Sequence, residues 1–162
     1  MLDSMLVFSL VVAATGAGLM AGVYFAFSTF IMQSLDQLGP GPATDAMNSI
    51  NKVILRSWFM ALFFGSTLIY IVLGAVALLA TDLAGRSLLF TAALIYVVGM
   101  FLCTARFNVP LNNRLTKAAG DDKSKAETWN HYFRHWTRWN HLRAVGSLVA
   151  LVLTIAYLVS YA

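Results

Sequence analysis

WNHYFRHWTRWNHLR, from Trp129 to Arg143, runs without a break into the uncharged stretch Ala144–Ala162, and this junction decides how the chain folds. The segment holds three of the four tryptophans, all three histidines and three arginines. At helical spacing Trp129, Phe133, Trp136, Asn140 and Arg143 fall in one stripe, separated by steps of 4, 3, 4 and 3. A band of aromatic rings and cations therefore stands at the mouth of an apolar helix.

Three further runs without a charged residue precede it: Met5–Met32, Ser57–Thr81 and Ser87–Ala105. About 20 apolar residues in helical form cross the hydrocarbon of a bilayer. The chain of 162 residues is 59% hydrophobic and only 11% charged, far from a soluble average. These features predict an all-α fold, a membrane-embedded four-helix bundle forming one domain over residues 1–162. The spans are expected at about 5–32, 57–81, 87–109 and 141–161. Loops are expected at about 33–52 and 110–140, with the last helix long and extending into the cytoplasm. Asp3 is the only charge before the first run, which is too long for the core of a signal peptide, so it is expected to stay as a span.

Of the 11 Lys and Arg, only Arg86 lies between the second and third spans. Lys52 and Arg56 precede the second, and eight others, from Arg106 to Arg143, lie between the third and fourth. The bias of basic residues toward the cytoplasm places the first and third loops there and both termini outside, in a bacterial inner membrane. The net charge of +4 thus reports topology and headgroup contact with the lipid bilayer, with no nucleic-acid footprint. Cys103 is the single cysteine, lies in the third span, and reads as a small packing residue.

Ala14, Gly18, Gly22 and Ala26 repeat a small residue at every fourth position of the first span. Such a face lets helix backbones approach closely, either against another span or in a homo-oligomer through Gly18 and Gly22. Gly39-Pro40-Gly41-Pro42 marks a turn, after which Thr44 or Asp45 is expected to cap a short helix. Asn48 and Asn51 follow, as solvated caps or as site residues. Trp58 fits an interfacial aromatic belt, and the short connection Asp82–Arg86 makes spans two and three antiparallel neighbours. Pro110 is expected to kink or end the third helix, flanked by Asn108 and Asn112, whose amides either satisfy the freed carbonyls or hold a ligand. After a link over Leu115–Asp122, Ser124 and Glu127 fit a capping box that starts a helix reaching about Ser160.

No phosphate-binding loop, nucleophile elbow, CxxC, HExxH or dinucleotide fingerprint is present. No span has a carboxylate at its middle, which argues against a proton- or cation-coupled transporter. His131 and His135 are spaced to share one helical face and form a weak metal pair. Arg143 either snorkels to headgroups or stacks on Trp139 and, beside Asn140 and His141, holds a polar atom of a ligand.

FNVPLNNRL at 107–115, then Trp129, Tyr132 and Trp136, then WNHLR at 139–143, with AMNSIN at 46–51, resemble the signature of the DUF1772, or anthrone oxygenase-like, membrane proteins. Gln33 departs from the proline that often ends the first span there. The resemblance implies a cofactor-free monooxygenase that oxidises a small, planar, lipophilic aromatic substrate with dioxygen. On that implication His141 or His135 is the base that forms the enolate. Arg143, with Asn140, Asn108 and Asn112, holds the oxyanion, and Trp136 and Trp139 stack the ring. Trp129 and Asn51 complete the substrate contacts. Two other readings use the same band. One is a non-catalytic protein binding a lipid, quinone or partner. The other is a metal or haem redox protein with His131, His135 and His141 as ligands.

Overall fold

A computed structural model describes residues 3–118 and 122–161, and among these every regular element is helical. Helix α1 covers Ser4–Asp36, α2 Pro40–Ile54, α3 Trp58–Leu79, α4 Arg86–Thr116 and α5 Asp122–Tyr161. Four of them, all but α2, are long and apolar enough to cross a membrane. The protein is an all-α membrane helical bundle, as its four uncharged runs predict.

The long helices pack through small residues, because lipid provides no hydrophobic force between them and close backbone approach must supply the contact. Close approaches between the long helices include Gly16 against Ser66, Gly74 against Ala93 and Gly99 against Gly146. The repeated face of α1 is only partly used: a Cβ on Gly18 would meet Leu151 at 3.6 Å, whereas one on Gly22 would meet nothing within 4 Å among the described residues. Tyr70 and Tyr96 stack at 4.2 Å in the middle of the bundle, and their hydroxyls bond Thr154 at 3.0 Å and Ser66 at 2.7 Å.

Two local expectations are corrected and a third, at Pro110, is narrowed. Gly39-Pro40-Gly41-Pro42 does not precede α2 but begins it: Gly39 sits outside the helix at φ 84°, and Pro40 opens the first turn. Proline fits there because the first backbone N–H groups of a helix have no intrahelical partner to lose. Thr44 and Asp45 consequently lie inside α2 rather than at its cap. Pro110 does not end α4, which continues to Thr116. The π-helical turns Val97–Leu102 and Thr104–Asn108 lie just before it, and wider turns of this kind take up the hydrogen bond that proline removes. Helix α5 starts at Asp122, so Ser124 lies within its first turn, not at a cap. The expected link from Leu115 shrinks because Leu115 and Thr116 belong to α4, and its part at 119–121 lies outside the described residues.

With 40 residues, α5 is about 60 Å long, twice the thickness of a hydrocarbon core. Its first half packs with α2 and the ends of α1 and α4 in a second core of Met32, Met47, Leu115, Trp129, Tyr132 and Trp136. Two polar ties close this end: Trp129 Nε1 donates to Asp36 Oδ1 at 2.7 Å, and Thr116 Oγ1 donates to Asn48 Oδ1 at 3.1 Å. Between this cap and the bundle core lies the site.

Candidate active site around Arg143

Helical spacing turns Trp129, Trp136, Asn140 and Arg143 inward, and all four are buried, while the intervening Arg134 and Arg138 are exposed. Arg143 is only 5% exposed. It does not snorkel outward, nor does it stack on Trp139. Its guanidinium carbon lies 4.3 Å from the Tyr24 ring centre and 5.0 Å from that of Trp136. Trp139 instead lies flat on Phe107 of α4, with centroids 3.7 Å apart and planes 5° apart. Residue 139 faces α4, so this ring is spent on helix packing.

Arg143 Nη2 donates to Asn140 Oδ1 at 2.7 Å, and Nη1 donates to Thr104 Oγ1 at 3.4 Å, a long contact. Asn140 is itself fixed, since its Nδ2 donates to the Tyr24 carbonyl and to Ser28 Oγ, both at 2.7 Å. Both acceptors lie in the second half of α1, the Tyr24 carbonyl just before the π-helical turn at Phe27–Ile31 and Ser28 within it. Among the described residues no Asp or Glu pairs with Arg143; its partners are an amide, a hydroxyl and two aromatic faces. A buried guanidinium left without an anion costs several kcal/mol, which cation–π contacts of about 0.5–2 kcal/mol each offset only in part.

Arg143 forms one wall of a cavity of about 270 Å³. Tyr24, Phe27, Met47, Ile50, Asn51, Phe59, Phe63, Thr104, Asn112 and Trp136 are among the other walls, so α1 to α5 all contribute. The lining is apolar and aromatic, with a few polar groups that converge, as in small-molecule sites generally. Asn112 Oδ1 accepts from the Tyr132 hydroxyl at 2.9 Å. Tyr132 lies before the apolar run of α5, and burial raises its pKa, so the phenol keeps its proton and remains the donor in that pair.

Of the residues expected from sequence to form the site, Arg143, Trp136, Asn112 and Asn51 line the cavity, and Asn140 orients Arg143 from behind. Asn108 stands back from the wall and donates to the Trp136 carbonyl at 3.2 Å, holding α4 to α5. Trp129 is likewise behind it, bonded to Asp36. The histidines are elsewhere. His141 is exposed, and His131 and His135 lie ring to ring at 4.3 Å without joining the lining. No group of three His, Cys, Asp or Glu able to hold a metal occurs among the described residues. Thr104 and the phenylalanines of α3 are the site residues that sequence reasoning missed. They lack a local pattern, although Thr104 is a polar group inside an apolar run.

A helical membrane protein with an aromatic cavity around a buried, unpaired arginine is thus defined by fold and site. The sequence profile described as anthrone oxygenase matches residues 56–153, more than half of the chain, and the protein belongs to that family. The match takes in Thr104, Asn112, Trp136, Asn140 and Arg143, whereas Tyr24 and Asn51 lie before it. No curated protein and no solved structure matches the chain.

Proposed function

We propose that the protein is a cofactor-independent oxygenase that oxidises a planar, lipophilic, anthrone-like compound with dioxygen. The observation that carries this reading is the buried Arg143, which faces an aromatic cavity with no carboxylate among the described residues to neutralise it. Such a cation favours an oxyanion over the neutral ketone, because an opposite charge nearby stabilises the ionised form.

The ring system lies between aromatic walls with its carbonyl oxygen toward Arg143. The methylene opposite that carbonyl loses a proton to solvent water, and the charge collects on the oxygen at Arg143. No histidine lines the cavity, so proton loss is driven by stabilising the product anion rather than by a strong base. The electron-rich enolate passes one electron to dioxygen, and the two radicals join at the former methylene carbon as a peroxide. Loss of the remaining C–H proton and cleavage of the O–O bond, with release of water, leave a quinone. One dioxygen is consumed and one of its atoms is retained.

The protein is proposed to lie with the α2 end in the cytoplasm and both termini outside, since Lys52, Arg56, Arg114 and the basic half of α5 gather at that end. The function is tested by dioxygen uptake with a simple anthrone, in the purified protein with metals chelated. Uptake with one quinone formed per dioxygen supports it, and absence of uptake above the uncatalysed rate refutes it.

A further inference from the structure

Four polar atoms in the cavity wall have no hydrogen-bond partner: the Tyr24 hydroxyl, Asn51 Nδ2, Trp136 Nε1 and Arg143 Nε. Each has a hydrogen to give. Asn108 Oδ1, a pure acceptor that is also unpartnered, is not in the wall. Buried donors without partners cost about 1–3 kcal/mol each, so a set of them of one polarity defines what is missing: oxygen acceptors on a ligand.

These donors come from different directions. Arg143 and Tyr24 meet at the junction of α5 and α1, with Asn140 and Thr104 beside them. Asn51 comes from α2, away from that group; its amide lies within reach of Tyr132, whose hydroxyl donates to Asn112, so at least one of the two N–H bonds of Asn51 Nδ2 is left for a ligand. Trp136 reaches the cavity between the two, with its ring 5.0 Å from Arg143 and 6.0 Å from that of Tyr132. One oxygen at Arg143 leaves Asn51 unpaired.

We propose that Asn51 is a specificity-determining residue which, with Trp136, donates to a second oxygen of a planar ligand whose first oxygen is held by Arg143 and Tyr24. The site therefore selects a ring with two oxygen acceptors over a ring with one, and a ring with one over a bare hydrocarbon. This inference rests on the ring-binding part of the proposed function and not on reaction with dioxygen. It also means that a quinone product is held more tightly than the ketone from which it is made.

The test is retention of anthracene, anthrone and anthraquinone by protein in lipid nanodiscs, against empty nanodiscs and without oxygen. The expected result is a ladder of about tenfold per added oxygen, the order of one net hydrogen bond. Asn51→Leu is expected to abolish the anthrone-to-anthraquinone step and keep the anthracene-to-anthrone step. Trp136→Phe gives the same comparison if Asn51→Leu does not fold. Equal retention of the three rings by the unaltered protein, or a full ladder in Asn51→Leu, overturns the proposal. An intact ladder without any anthrone turnover refutes the oxygenase reading and leaves this recognition standing. Turnover with a flat ladder does the reverse.

Discussion

Asn140 Oδ1 accepts a hydrogen bond from Arg143 Nη2 at 2.7 Å, while the amide nitrogen of the same asparagine grips the Tyr24 carbonyl and Ser28 of α1. One side chain thus anchors the arginine and joins two helices. Asn140→Leu is expected to lower stability by about 2 kcal/mol, since it removes the partner of three polar groups, two of them in buried bonds. Thermal unfolding in detergent measures this, and an unchanged midpoint would show that the amide is not a structural tie.

Arg143→Met separates stability from function. Removing a buried cation that has no anion relieves its desolvation, so the variant is expected to be at least as stable as the unaltered protein. Anthrone turnover is nevertheless expected to fall at least about 100-fold, the order of losing one oxyanion donor. Thermal unfolding and dioxygen uptake on the same preparation provide both readings.

The histidines make the contrast. His131→Ala, His135→Ala and His141→Ala combined are expected to leave turnover within about threefold, because none of the three side chains lines the cavity. A loss as large as that of Arg143→Met would restore a histidine base and require the cavity to reach their face of α5.

Close packing gives a fourth expectation. A Cβ on Gly99 would meet the Gly146 backbone at 3.4 Å. Gly99→Leu is expected to push α4 from α5 and destabilise the bundle by about 1–3 kcal/mol, as overpacking does. Gly22→Leu, with nothing within 4 Å, is expected to be neutral for the isolated chain. Size-exclusion and unfolding of both variants check this, and a change of oligomeric state in Gly22→Leu alone would assign that face to a second copy.

The spans and the inward stripe of α5 were legible because each is a local pattern. Uncharged runs give length, and steps of 3 and 4 from Trp129 to Arg143 give a face. The same periodicity locates His141 only relative to its own helix, and its neighbour Arg143 draws attention to it although the two point different ways. Trp139 and Trp136 are alike in sequence, yet one meets Phe107 and the other the cavity. Which ring does which depends on the positions of α1 and α4 around α5. Tyr24, Phe59 and Phe63 join Arg143 through contacts far apart in the chain, and no spacing announces them. The start of α2 was misread for a different reason: proline stops a helix in its interior but starts one at its first turn.

The most direct test of the central claim is dioxygen uptake with an anthrone and chelated metals, comparing the unaltered protein with Arg143→Met. The account predicts turnover in the first and at least about a 100-fold loss in a second that remains folded. Equal turnover in the two would contradict it, because the buried cation would then have no part in the reaction.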